Sequence, residues 1–440
     1  MIRQGRGSRL FDERGQSYLD TRNNVCHIGH AHPAVAEVVA AQLSVLNTNT
    51  RYLHPTMVQL AKELLETFPP PLSKVFFVNS GSEANDLALR LARAYSGGST
   101  NTITVQGAYH GHTLGVLEIS PYKYLAGTEY RDTYNPLTAD RQTPGPHIWQ
   151  VPAPDTFRGK HRDAETAGEE YAKYVQKACH HYTQRGERVR AFVMEGGLST
   201  GGVILPPKGY IRQCAEAVRA AGGLYIADEV QTGFGRFGST FWAFQHEHNQ
   251  GVVPDIVTLG KPMGNGMPLA AVVTTEEVTR AFESKGVEYF NTFGGNPVCA
   301  AAGLAVLKVI KDEKLAEHAF KVGGYMKEKF SSLLGSTSFP LSGEIRGCGL
   351  FLGIELIRSK DKSDPMKPAT AETSFICSQL RTHYQILTSI DGIYDNVLVI
   401  KPPMVFNKAD VDYFVSSFEK VVLRELPPLD ELMGREKTPT

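Results

Sequence analysis

Short apolar or β-branched runs alternate with helix-period stretches through the middle of the chain. Residues 75–78, 102–105, 191–194, 224–227, 256–259 and 270–274 are expected strands. Between them, Ala61, Leu64, Leu65 and Phe68 make one stripe at helical spacing, and Leu87, Leu91 and Tyr95 make part of another. Strand–helix alternation on this scale predicts an α/β class, with a mostly parallel sheet covered by helices on both faces. After about residue 300 the pattern changes. A long helical run through 300–310 leads to "EIRGCGLFLGIEL" and "NVLVIKPPMVF", which read as strands of a smaller α+β unit. At the start, Leu10-Phe11, a turn across 12–15 and Tyr18-Leu19 read as a hairpin. The Pro-rich, aromatic stretch "TYNPLTADRQTPGPHIWQVPAPDTFRGKHRD" reads as a long connection, and "LPPLDELMGREKTPT" as a frayed end.

At 440 residues the chain exceeds the size at which one core stops growing, so two or more domains are expected. Lys+Arg and Asp+Glu balance at 46 each, so global charge gives no reason to expect nucleic acid or an anionic membrane as partner. Local charge must carry recognition. The cysteines at 26, 179, 214, 299, 348 and 377 form no CxxC pair, so free thiols in a reducing compartment are expected. No apolar stretch approaches the roughly 18 residues of a membrane span. The N-terminal stretch lacks a signal-peptide core, which leaves the cytoplasm or the mitochondrion.

Four stretches carry candidate chemistry. In "KVFFVNSGSEANDLALRLARAY" a strand, the turn Ser80-Gly81-Ser82 and a helix start would aim backbone N–H groups at an anion. The dipole adds about 0.3–1 kcal/mol, and a plain serine cap is the bland alternative. In "QGAYHGHTLG" Tyr109 follows a strand, where an aromatic ring can stack on a flat ligand. His110 and His112, like His30 and His32, lack carboxylate or cysteine partners at ligand spacing, so no metal site is expected.

In "GGLYIADEVQTGFGRFG" Asp228 ends a strand, at the edge where open α/β sheets bind ligands. Gly233, Gly235 and Gly238 fit GxGxxG, but the run begins past Asp228 and no helix opens within it, so it is not read as a dinucleotide fingerprint. In "DIVTLGKPMGNGMPLAAVV" Lys261 stands at a strand mouth before Pro262 and two glycines. Most lysines are surface charges, but one with a lowered pKa forms Schiff bases. Together the four stretches supply a phosphate cradle, an aromatic platform, an acid and a lysine, each on its own strand–loop junction. Pyridoxal 5'-phosphate needs that set.

These motifs, with "LFDERGQSYLD", "NTFGGNP" and "VLVIKPPMVF", resemble the class III (ω-amino) aminotransferases of the fold type I pyridoxal-phosphate enzymes over nearly the whole chain. The resemblance implies a large domain (46–300) with a mostly parallel seven-stranded sheet between helices. It implies a smaller α+β domain (301–440), with an N-terminal segment (1–45) packing against it. It makes Lys261 the Schiff-base lysine, Asp228 the partner of the pyridinium nitrogen and Tyr109 the ring stack, with His110 also against the cofactor. Gln231 would contact the phenolic oxygen, and Glu195 would sit near the reacting imine. Gly81 and Ser82 would bind the phosphate, and Thr292 would reach it from the other subunit of a homodimer or tetramer.

Two departures bear on the substrate. Where the family reads "EPIQSEGG" or similar, this chain has "EGGLSTGG", with Thr200 at the glutamate position. Where the family carries Arg-Pro-Pro, this chain has Lys401 in "IKPPM". The glutamate–arginine pair that receives a substrate carboxylate is thus altered on both sides, and a lysine lacks the planar fork. The stretches "NNVCHIGHAHP", "LNTNTRYLH", "EISPYKY", "APDTFRGK" and "VTLGKPMGNGMP" resemble the branch of ethanolamine-phosphate and 5-phosphohydroxy-L-lysine phospho-lyases. That resemblance implies a lyase that removes phosphate and ammonia from a phosphorylated amine. Arg51 with Lys401 is the candidate clamp for the substrate phosphate, with a plain surface charge as the bland alternative for Arg51. An ω-aminotransferase of the alanine–glyoxylate type, passing its amino group to a 2-oxo acid, shares every cofactor residue and is the alternative.

Overall fold

The computed structural model describes residues 1–123, 147–249, 251–286, 288–358, 366–428 and 431–432. The first part of the Pro-rich connection, up to 146, and the end of the tail, 433–440, lie outside the described residues.

At the N-terminus β1 (Ile2–Arg6), β2 (Arg9–Asp12) and β3 (Ser17–Asp20) form an antiparallel meander, and the expected hairpin is its β2–β3 part. The central sheet holds β4 (Leu72–Val78), β5 (Thr102–Val105), β6 (Ile148–Val151), β7 (Ala191–Glu195), β8 (Leu224–Asp228), β9 (Ile256–Leu259) and β10 (Ala270–Thr275). Their spatial order is β4-β10-β9-β8-β7-β5-β6. Neighbours from β9 to β6 pair in parallel, while β10 runs antiparallel to both β4 and β9. The sheet is therefore seven-stranded and mostly parallel.

Alternation along each buried strand feeds two apolar layers. Phe192, Met194, Tyr225, Ala227, Val257 and Leu259 join one cluster, and Ala191, Val193, Leu224, Ile226, Ile256 and Val272 join the other. Each large apolar side chain so buried contributes roughly 1.5–3 kcal/mol, which fixes the register of the strand ends. Six strands are those the hydrophobic pattern predicts. The seventh, β6, is missed because Gln150 interrupts its short apolar run, and as an edge strand it pairs with β5 alone.

The C-terminal part contributes β11 (Ser342–Cys348), β12 (Phe351–Ile357), β13 (Ile386–Leu387), β14 (Ser389–Asp391) and β15 (Val397–Ile400). Four of these form a sheet in the order β11-β12-β15-β14. Strand β13 instead pairs in parallel with β3, Ile386 opposite Leu19, which ties the first residues of the chain to its last third. The GxGxxG stretch opens no helix. Gly235 and Gly238 have φ of 78° and 79°, and a Cβ on Gly238 would lie 2.6 Å from the Phe320 nitrogen. Those glycines serve a tight turn.

Candidate active site

The strands of a parallel sheet end at one edge, and here that edge gathers the four motifs. Strand β4 delivers Ser80, Gly81 and Ser82, β5 delivers Tyr109 and His110, β7 ends on Glu195, β8 on Asp228, and Lys261 follows β9. A cavity of ≈ 310 Å³ is lined by Ser80, Gly81, Ser82, Tyr109, Asp228 and Lys261, among others. Because β10 runs the other way, the loop before it, with Met267 and Leu269, closes the same cavity.

At one end Ser80 caps the helix Gly81–Tyr95, its Oγ accepting from the Glu83 N–H at 3.2 Å. The first N–H groups of that helix have no intrahelical acceptor and face the cavity. A Cβ on Gly81 would come within 2.7 Å of Val230, so only glycine lets the turn sit against the strand-end loop. Ser82 Oγ accepts from the His112 N–H at 3.1 Å, which leaves its own proton to donate.

Asp228 lies deeper. Its Oδ2 accepts from Asn85 Nδ2 at 2.8 Å and from His110 Nδ1 at 2.7 Å, and its Oδ1 accepts from the Val230 N–H at 3.0 Å. Asn85 is held in turn by Thr258, whose hydroxyl donates to Asn85 Oδ1 at 2.8 Å. This is a buried carboxylate with its charge compensated and its direction fixed. Lys261 Nζ stands 5.6 Å from the centroid of the Tyr109 ring. Burial lowers its pKa, opposed by the charges of Asp228 and Glu195.

Glu195 accepts from the Tyr109 and Ser199 N–H groups at 2.9 and 3.0 Å. Burial first, and the nearby Asp228 charge as well, push it up to about 7. Gln231 Oε1 accepts from Asn24 at 3.1 Å, Lys401 at 3.0 Å and Ser199 at 3.3 Å. With its oxygen thus occupied, the amide NH2 is the end left to face a ligand. Lys401 also donates to Ser199 Oγ, and burial, aided by the charges of Lys261 and Arg236, lowers its pKa to about 7.

The geometry fits a flat, phosphorylated pyridine. It offers N–H groups for the phosphate, Tyr109 for a ring face, Asp228 for a ring nitrogen and Lys261 for an aldehyde carbon. A match to the class-III aminotransferase family model over residues 1–422 decides the matter. The chain belongs to the class-III aminotransferase family.

Family membership makes the chain an enzyme with pyridoxal 5'-phosphate as cofactor. An alanine–glyoxylate aminotransferase 2-like protein of Drosophila melanogaster is 44% identical, covering 95% of this chain and 81% of that one. An ethanolamine-phosphate phospho-lyase homolog of Caenorhabditis elegans is 40% identical, covering 94% and 86%. Among solved structures, an Arthrobacter phospholyase in complex with phosphoethanolamine superposes with a TM-score of 0.85 at 39% identity, covering 97% and 94%.

Two expected residues lie away from the cavity: Thr292, expected to act on the partner subunit, and Arg51. Thr292 is exposed, and Arg51 is an exposed side chain whose guanidinium lies 4.8 Å from the centroid of Phe290. Neither lines the cavity with Lys261 in the single chain. Three contributors lie within quoted stretches but were not singled out: Asn24, Asn85 and Ser199. Asn85 was the findable one, a polar residue inside the buried Ala84–Leu87–Ala88 stripe of its helix. No helix among the described residues is long and apolar enough to cross a membrane.

Proposed function

We propose that this class-III enzyme is a phospho-lyase, eliminating phosphate from a small phosphorylated amine such as phosphoethanolamine or 5-phosphohydroxylysine and releasing ammonia. The observation that carries the reading is Lys401. A transaminase of this family needs an arginine fork there for its 2-oxo acid, whereas Lys401 is buried and donates to Ser199 and Gln231. The glutamate that would partner such an arginine is Thr200, whose hydroxyl donates to the Gly107 carbonyl at 2.8 Å. Neither half of the carboxylate switch is in place.

Pyridoxal phosphate, when bound, supplies a sink for the electrons left when the carbon beside the substrate nitrogen loses its proton. The chain's residues do the rest. Gly81 and Ser82 would hold the cofactor phosphate, Tyr109 would cover one ring face, and Asp228 would keep the ring nitrogen protonated. Gln231 would direct its amide at the phenolic oxygen. Lys261, its pKa lowered by burial, is the group placed to take the substrate proton as general base. Phosphate departs from the neighbouring carbon with its bonding electrons. The unsaturated amine left behind hydrolyses in water to an aldehyde and ammonia.

The working unit we propose is a homodimer, with Thr292 reaching the cofactor phosphate of the partner subunit and Arg51 on the same face. Tyr52, Leu53, Phe290 and Phe293 are large and exposed around these two residues, and Thr50 Oγ1 donates to the Asn291 carbonyl at 2.9 Å. Six free thiols fit a reducing setting, cytoplasmic or mitochondrial. The alternative, an alanine–glyoxylate type transaminase, is favoured by the Drosophila relative. Product analysis separates them. A lyase yields phosphate, aldehyde and ammonia in equal amounts without a 2-oxo acid, and a strict requirement for glyoxylate or another 2-oxo acid contradicts the proposal.

A further inference from the structure

A second cavity, ≈ 530 Å³, opens on the other side of Lys261 and shares that lysine and Gln231 with the cofactor cavity. Its walls come from distant parts of the chain. Arg22 follows β3, Arg381 lies on the helix Thr370–Tyr384, Asp391 ends β14, and Lys401 follows β15. The pairing of β3 with β13 brings the first of these to the others.

The charge in this cavity is unbalanced. Arg22, Arg381 and Lys401 face it against a single carboxylate, Asp391. Arg22 and Arg381 are both exposed. Both lie near the Cys377 thiol in the same wall, where their charge opposes the upward push of burial on its pKa. Two guanidiniums thus act on one thiol, in a wall whose carboxylate is Asp391. Lys401 has two of its three N–H groups on Ser199 and Gln231, and the third remains for the cavity.

We infer that Arg22 and Arg381 form the substrate-anion site of this enzyme, gripping the phosphate of the substrate while its amine lies at Lys261. The inference rests on the phospho-lyase reading for the identity of the anion. Guanidinium forks match a phosphate dianion with paired hydrogen bonds, and Lys401 adds charge from the base of the cavity. The shared Lys261–Gln231 wall sets the spacing. A substrate whose amine reaches Lys261 can point its far end into the second cavity, whose wall carries both arginines. This assignment keeps Lys401 from the sequence-based clamp and replaces Arg51 with two residues of the same chain as the lysine. Both arginines are specificity-determining residues, since they touch the departing group rather than the carbon that loses its proton.

The probe is 2-aminoethylphosphonate, whose carbon–phosphorus bond cannot release phosphate, titrated into the cofactor-loaded enzyme and followed by the cofactor's absorbance. Propylamine, without the anion, is the control that reports an intact amine site. The wild type is expected to bind the phosphonate at least about thirtyfold more tightly than propylamine. Arg22→Met and Arg381→Met should each lose about tenfold in phosphonate affinity, and the double variant should approach the propylamine value. Propylamine affinity should stay within about threefold throughout.

A double variant that keeps the wild-type preference overturns the inference. So does a loss of preference in Arg51→Met with Arg22 and Arg381 intact, or a wild type that shows no preference. If the enzyme releases no phosphate from phosphoethanolamine, yet its phosphonate preference collapses in the double variant, the lyase reading falls and the anion site stands. Phosphate release with an unaffected double variant sinks the anion site alone.

Discussion

Glu195 stands directly opposite Asp228 where β7 and β8 end in parallel register. The two carboxylates are separated in role by their partners. Asp228 takes two side-chain donors, Asn85 and His110, in addition to one backbone N–H, whereas Glu195 takes two backbone N–H groups. A carboxylate buried in that way prefers its proton. Asp228 is thus the carboxylate held in place by side chains, and Glu195 is the one that burial pushes toward its protonated form.

Burial raises Glu195 from an ordinary 4.5 to about 7. Over that interval the folded state holds a proton that the unfolded chain has lost, so this group's contribution is present below pH 4.5 and disappears as pH rises through about 7. Urea unfolding of the cofactor-free protein should show Glu195→Gln gaining on the wild type by on the order of 1–3 kcal/mol between pH 5 and pH 8. A constant difference across that range contradicts the assignment.

Asn85 is the second arm on Asp228, and Thr258 fixes it. Asn85→Leu leaves the carboxylate with one side-chain partner, His110, and frees its angle. The expected result is about tenfold weaker retention of the cofactor, measured by equilibrium dialysis, with the fold unchanged by circular dichroism.

Lys401 titrates near 7 because it is buried, with Asp391, Lys261, Glu195 and Arg236 as the charges around it. It is cationic below that value and neutral above it. Relative to Lys401→Arg, which stays charged, wild-type affinity for 2-aminoethylphosphonate should fall roughly tenfold as pH rises from 6 to 9. Parallel pH profiles for the two proteins contradict this.

Phe293 is 62% exposed beside Thr292. If that face meets a second copy, Phe293→Asp places a charge in the interface. Sedimentation should then show monomers at concentrations where the wild type is dimeric, together with loss of bound cofactor. A variant that stays dimeric and loaded contradicts the shared site.

Much of the sheet and of the cofactor site was legible in the sequence, for the same physical reason. A strand buried on both faces must be a short apolar run, and the residue that ends it lands on the ligand-binding edge. Asp228 and Lys261 could therefore be placed before any coordinates. β6 escaped because an edge strand need not be apolar throughout. Asn24, Asn85 and Ser199 escaped because a hydrogen bond to a neighbour in space leaves no periodicity in the chain. Arg22 and Arg381 are 359 positions apart by number, and only the β3–β13 pairing puts them on one cavity. Arg51 had a motif around it and proved to be an exposed side chain over Phe290.

The most direct test of the central claim is phosphate release from phosphoethanolamine and from 5-phosphohydroxylysine, each without any 2-oxo acid. The expected result is sustained turnover with one of them, lowered by about 10²–10⁴-fold or more in Lys261→Ala. Absence of phosphate with both substrates, alongside turnover that starts only when glyoxylate or another 2-oxo acid is added, would show a transaminase instead.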